Sequence, residues 1–353
     1  MRIASACIAK VVIGTAAACL AVPASAEPLQ SLPAPVTNNA VAVVRIRGEE
    51  LVYSLLGLGP QKDWQAVTNA AYALNVRYNK WTTVRSVPGS GRLGAVAVGV
   101  REQILLMGGF VPDNHGMQAI VPDLSIYDPG ALKWYRGPDI PTPVRDAIAG
   151  VYRDRYVYLV GGFSQKGPTN EVQIYDAQGQ RWLRATSFPG PAVFGHAGTV
   201  VNDAIIYVDG AEASAGGRTP RYQPSTECWI GRIDRRHPEK IQWKKLPPHP
   251  GSARYRIAAG GSDRDQKAYF AGGTDAIYDY SGIGLDGKPG EPSPVVFAYN
   301  LRTNAWEVIQ ENNSHPTMDH RGLAVTSDGL IVVGGMGAGQ KVLATAEMLP
   351  KHK

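Results

Sequence analysis

Apolar residues in this chain come in short runs, and each run stops at glycine. The clearest read ILLMGGF, VYLVGGF and YFAGG, ending at Gly108-Gly109, Gly161-Gly162 and Gly272-Gly273. Runs this short, rich in Val, Ile, Leu and Tyr and bounded by glycine, predict β-strands rather than helices. A polar stretch follows each stop. Then comes Tyr-Asp or a near equivalent, and a tryptophan seven residues after the tyrosine. These markers are Tyr127-Asp128 with Trp134, Tyr175-Asp176 with Trp182, and Tyr299-Asn300 with Trp306. Degenerate copies extend the series. LLGLG ends at Gly59 and is followed by Trp81, IIYVDG ends at Gly210 and is followed by Trp243, and LIVVGG ends at Gly335. The closing glycines 59, 109, 162, 210, 273 and 335 predict six units. Repeats of about fifty residues mean one supersecondary unit copied around an axis or along a solenoid.

Each unit reads as four short strands, the glycine pair closing the second. Glycine suits that stop because it reaches positive φ and admits close backbone approach. Tyr and Trp supply rigid surface for packing one sheet on the next. Four-stranded units of this length describe propeller blades. The Gly-Gly, Tyr-Asp and Trp markers, in this order and spacing, resemble the Kelch repeat over nearly all of residues 27–353. That resemblance implies an all-β, six-bladed Kelch-type β-propeller. It does not fix function, because one fold hosts many chemistries.

The sixth unit has no tryptophan strand. Other units follow theirs with a proline turn, as in WTTVRSVPG and WLRATSFPGP, and the segment PLQSLPAP has the turn without the tryptophan. Leu29 to Leu32 are therefore expected to form the fourth strand of the last blade, beside Ala346 to Leu349, closing the ring and hiding its edges.

Strand alternation also predicts a working face. The first-to-second and third-to-fourth turns are short. The second-to-third loops are long, notably DGAEASAGGRTPRYQPSTE and GGTDAIYDYSGIGLDGKPGEPS. Long loops gathered at one end of a rigid scaffold mark a binding face. The junctions between units reach the same end. They carry Arg92, Arg145, His196, Arg254 with Arg256, and His320 with Arg321. Guanidinium groups around an axis favour an anionic ligand, and the same groups also serve to hold loop carbonyls between blades.

Residues 1–26 read as a secretory signal peptide. Arg2 and Lys10 flank VVIGTAAACLAV, and Ala24-Ser25-Ala26 supplies a small-residue cleavage site. The run is too short to span a membrane as a helix. The chain after residue 26 is expected to be one exported domain, periplasmic or secreted, without membrane insertion. Loss of Arg2 and Lys10 takes the formal net charge from +6 to +4, too little to argue for nucleic acid. Cys7 and Cys19 leave with the leader, so Cys228 has no disulfide partner within the chain and reads as a packed strand residue.

Several motifs invite chemistry and fail on context. Gly282 to Lys288 approaches a phosphate-binding loop, but Pro289, Pro292 and Pro294 follow where a helix must start. The seven histidines do not cluster at zinc spacing, and no G-x-S-x-G occurs. No cofactor is expected. Some Kelch propellers are copper-radical oxidases, which need paired tyrosines, paired histidines and a cysteine crosslinked to tyrosine; Cys228 is the candidate for the last, no histidine pair is obvious, and that reading stays as a third alternative.

A sharper signal is Glu212-Ala-Ser-Ala-Gly-Gly-Arg218, directly after Asp209-Gly210. A carboxylate and a guanidinium six residues apart across two glycines can reach one cavity. With the leader and the six units, this resembles the bacterial periplasmic N-acetylneuraminate (sialic acid) mutarotase/epimerase family. Gly57 to Gly59, Arg92 and Arg321 match that family as well. The extra residue before Glu212, the short loop GGFSQKGPTNE and the sequence of the long fifth loop depart from it. The resemblance implies a cofactor-free isomerase of a small acidic sugar, with Glu212 and Arg218 catalytic. Arg92, Arg145, His196, Arg256 and Arg321 are expected around the substrate. A non-catalytic glycan- or protein-binding module is the alternative, favoured if Trp64, Tyr278 and Tyr280 are exposed on a flat loop face.

Overall fold

Each apolar run ends where the backbone turns left-handed. Gly108-Gly109, Gly161-Gly162, Gly272-Gly273 and Gly334-Gly335 all have positive φ. In the fourth unit Asp209 takes the first place at φ 59°, and in the first unit Leu56 takes it at φ 61°. The stop of the first unit is therefore Leu56-Gly57, and Gly59 lies two residues past it. Packing explains the glycine as much as φ does. A Cβ on Gly108 would sit 2.2 Å from the Val144 carbonyl oxygen.

The computed structural model describes residues 28–114, 118–217 and 221–352. The fold is all-β, and the only helical segments among these residues are three 3-10 turns. Six antiparallel meanders follow one another along the chain. The first comprises Ala40–Ile46, Glu49–Leu55, Ala71–Asn75 and Lys80–Thr83. The next four begin at Val96–Val100, Ile148–Tyr152, Ala197–Val201 and Ala258–Ser262, each with four strands. The sixth has three, Ala324–Val325, Leu330–Val333 and Ala346–Leu349. In the second strand of each sheet both faces are buried, as its unbroken apolar run requires.

The core lies between sheets. One apolar cluster joins the first and second sheets through Tyr53, Leu55, Leu106 and Tyr127. Equivalent clusters join each later pair, and one joins the sixth sheet to the first through Val41, Leu74, Trp81, Ile331 and Ala346. The first strands of successive sheets lie side by side, and that of the sixth lies against that of the first.

The expected N-terminal strand does not form. Residues 28–32 adopt no strand, and nothing among the described residues pairs with the outer side of Ala346–Leu349. The segment instead lies between the last and first sheets. Leu32 N–H donates to the Ala344 carbonyl at 2.7 Å, and the Trp81 indole donates to the Gln30 carbonyl at 2.8 Å. Asn79 fixes the segment from the other side, through Gln30 N–H and the Pro28 carbonyl. Without a tryptophan of its own, the segment has no cross-strand aromatic contact to hold it flat on the sixth sheet.

These bonds repeat those made within the chain. The indoles of Trp134, Trp182, Trp243 and Trp306 donate to carbonyls of Arg85, Pro138, Thr186 and Pro247. Two residues beyond those carbonyls stand Val87, Ile140, Phe188 and His249, all buried. Leu32 holds the same place relative to Gln30. The glycine bonds repeat too. N–H groups of Gly109, Gly162, Gly210 and Gly273 donate to Val144, Val193, Arg254 and Thr317, and that of Gly335 donates to Val36.

Candidate functional site

The junction segments and the long loops meet at one end, as strand alternation requires. Val144–Arg145 pairs with Phe163–Ser164, and Val193–Phe194 pairs with Ala211–Ala213. Single bridges Leu93 to Phe110, Tyr255 to Thr274 and Met318 to Met336 do the same in other units. Each of these loops is thus paired to the segment that enters its own sheet.

Glu212 sits in one of these small sheets. Its backbone pairs with Val193 on one side and Gln223 on the other. Its side chain is half-buried, and Gln223 Nε2 donates to its Oε1 at 2.9 Å. One carboxylate oxygen is thereby fixed. Phe163, Phe194 and Tyr222 pack edge to face around the same sheet, with centroids 5.0–6.2 Å apart. Arg145 lies over the Phe110, Phe163 and Phe194 rings, with its Cζ 4.5 Å from the centroid of Phe163. Arg218, the expected partner of Glu212, lies outside the described residues.

The other expected arginines are held by carboxylates. Arg92 is buried and donates to Asp123 Oδ2 at 3.1 Å and to Ser125 Oγ at 3.2 Å. Burial lowers its pKa against the pull of Asp123. Arg145, Arg256 and Arg321 converge on Asp146, at 2.5, 3.5 and 2.6 Å. Arg256 and Arg321 also reach Asp319 Oδ1, at 3.0 and 3.5 Å. Thr37 and Asn38 complete the shell by donating to Asp319. Burial would raise the Asp146 carboxyl, but Arg321, Arg256 and Arg145 together hold it well below the usual carboxylate range. Tyr255 and Tyr278 flank the Arg256 guanidinium, 4.6 and 4.9 Å from their ring centroids.

His196 and His320 are neutral spacers in this arrangement. Burial pushes both down to about 4. His196 Nε2 donates to the Val160 carbonyl at 3.0 Å, and His320 Nε2 lies 2.9 Å from Thr317 Oγ1. Beneath the ionic cluster runs an axial cavity of about 340 Å³. First-strand residues wall it, and Asp146, Arg256, Arg321, His196 and His320 form its inner end. Glu212, Arg92 and Arg145 do not line it.

The sequence reading found the arginines and missed their carboxylates. Asp146 directly follows Arg145, and Asp319 stands two residues before Arg321. An acid beside two of the junction arginines, Arg145 and Arg321, was the available signal. It also missed a buried pair in the fourth blade, His249 Nε2 at 2.6 Å from Asp209 Oδ2. Tyr278 is buried rather than displayed, because it packs on Arg256, while Trp64 is 45% exposed. Cys228 is a buried strand residue whose thiol burial pushes up to about 12. No group of three metal-binding side chains occurs among the described residues. The stretch from Gly282 forms bridged turns, Tyr278 to Gly284 and Ile283 to Pro289, with no helix after it.

The chain matches none of the models of known protein families it was compared with. It has Kelch-repeat relatives. One is the Kelch-like protein terF of Aspergillus terreus, 28% identical over 58% of this chain and 46% of that one. The chain spans less than half the length of this and three other curated relatives it matches. It is also similar to the N-acetylneuraminate epimerase of Pasteurella multocida, 24% identical over 96% of both chains. The solved structure of YjhT shares the fold, with a TM-score of 0.71, 18% identity, and coverage of 90% of this chain and 95% of that one.

Proposed function

We propose that this chain, a relative of the Kelch-repeat proteins, is a six-bladed propeller that isomerises sialic acid or a similar acidic sugar. The six successive sheets are the blades. Residues 28–36 close the ring by repeating the hydrogen bonds of the other blade junctions, without adding a strand. The leading residues 1–26 export the protein to the periplasm or beyond the cell.

The observation that carries this reading is the similarity to an N-acetylneuraminate epimerase over 96% of both chains, with Glu212 at the loop end. Glu212 stands beside an aromatic wall of Phe163, Phe194 and Tyr222. Mutarotation breaks the bond from the anomeric carbon to the ring oxygen and remakes it on the other face. Glu212 takes the anomeric hydroxyl proton as the ring opens, a solvent water gives a proton to the ring oxygen and is restored from the Glu212 carboxyl, and the transfers reverse on closure. No cofactor enters that balance. Arg218 holds the substrate carboxylate and orients the ring. Arg92, Arg145, His196, Arg256 and Arg321 organise the loop end from beneath through the bonds already described. A positioned base contributes about 10²–10⁴-fold. Anomer exchange of N-acetylneuraminate, followed by NMR, tests the assignment. Glu212→Gln should lose about that factor and Arg218→Ala should raise KM. Full rate in Glu212→Gln would remove Glu212 as the base.

A second reading is supported by Trp64, Ile283 and Leu285, each more than 40% exposed. A non-catalytic module would use such side chains to bind glycan or protein. Binding of sialosides without exchange would favour it.

A further inference from the structure

The ionic cluster is unbalanced. Arg145, Arg256 and Arg321 bring three guanidinium groups to two carboxylates, Asp146 and Asp319. His196 and His320 add no charge near neutral pH. The excess positive charge is deeply buried, since the Arg256 and Arg321 side chains are 1% and 3% exposed. A buried charge without a counterion is costly, by several kcal/mol in the general case.

Its donors are also incompletely used. Arg321 Nε and Arg256 Nε have no hydrogen-bond partner among the described residues. Arg321 Nη2 is taken up by Asp146 Oδ1 at 2.6 Å. Both arginines line the inner end of the axial cavity. Away from them the wall is small and mostly apolar, with Val43, Gly99, Val151, Gly261 and Val325 half-exposed. Exposure therefore rises toward the short-turn face, opposite the loops that carry Glu212.

We propose that the inner end of the axial channel is a second ligand site, binding a small monovalent anion against Arg321 and Arg256. The anion is a halide or a short carboxylate whose apolar part lies along the Val and Ala wall. It enters from the short-turn face. Its charge balances the cluster, so binding stabilises the fold and is independent of turnover at Glu212.

Two measurements test this. The first uses the unaltered protein crystallised and soaked in sodium bromide. An anomalous peak within about 3.5 Å of an Arg321 or Arg256 nitrogen is expected. Peaks confined to the outer surface would overturn the proposal. The second compares melting temperature in sodium bromide, sodium acetate and sodium gluconate at one ionic strength. A saturating rise of about 2–4 °C is expected in bromide, acetate or both at tenfold saturation, relative to bulky gluconate. Bromide alone would identify a halide site, and acetate a carboxylate site. Arg321→Gln should abolish the difference. No difference in the unaltered protein, or the same difference in folded Arg321→Gln, would refute the site.

Discussion

In the fourth unit two positions depart together from the third and fifth, and the departure is testable. Asp209 stands where other stops carry Gly108, Gly161, Gly272 and Gly334. His249 stands where other junctions bury Leu32, Val87, Ile140 and Phe188. The two side chains meet, with Nε2 2.6 Å from Oδ2, and both residues are buried. The other ring nitrogen, Nδ1, lies 2.8 Å from the Pro250 carbonyl. Arg254 N–H also donates to Oδ2 at 2.8 Å. Burial raises the Asp209 carboxyl, and His249 and the Arg254 N–H oppose that rise. His249→Leu leaves the carboxylate buried with one backbone donor, which costs about 3–5 kcal/mol. Asp209→Gly leaves a buried ring nitrogen unpaired, about 1–3 kcal/mol, and relieves about 1 kcal/mol of left-handed strain. The double variant restores the pattern of the other blades and should lie within about 1 kcal/mol of the parent. Urea unfolding of all four proteins measures the cycle. Additive single losses, with the double variant the least stable, would refute the coupling.

Leu32 is buried in the place relative to Gln30 that Ile140 holds relative to Pro138, so Leu32→Ala and Ile140→Ala should each cost about 2–5 kcal/mol in urea unfolding. A loss below about 1 kcal/mol for Leu32→Ala alone would separate the N-terminal segment from the other junctions. His196 and His320 have folded pKa values lowered to about 4 from an ordinary value near 6.5. The unfolded chain binds more protons in that window, so stability should fall as pH drops from about 6.5 to 4. His320→Gln should flatten the fall, and an equally steep melting profile in that variant would contradict the assignment. Asp176 has its pKa lowered to about 2, chiefly by the Arg155 hydrogen bond. Its contribution is present above about pH 4 and lost as pH falls toward 2, so Arg155→Gln should be less sensitive to acid over that range.

The six successive sheets were legible because short apolar runs and their glycine stops leave a direct trace in the sequence. Tyr127 with Trp134 and Tyr175 with Trp182 pair across neighbouring strands in the expected register. Leu56 was missed as a stop because a left-handed leucine has no residue signature. The closing segment was misread as a strand because the proline turn of LPAP is shared by all junctions. Only tertiary bonds to Asn79 and Trp81 show where residues 28–30 go. The face carrying Glu212 followed from strand alternation alone. The ionic cluster did not, because Asp146 and Asp319 are 173 positions apart and meet only when the first strands gather. A sequence shows which arginines reach the axis. It does not show which carboxylates already occupy them.

The central claim is that the loop end opens and recloses an acidic sugar ring. Anomer exchange of N-acetylneuraminate at neutral pH, followed by NMR with catalytic amounts of the unaltered protein, measures it directly. Exchange faster than the spontaneous rate, falling by about 10²-fold or more in Glu212→Gln, is the predicted result. Exchange at the spontaneous rate with the unaltered protein would contradict the account.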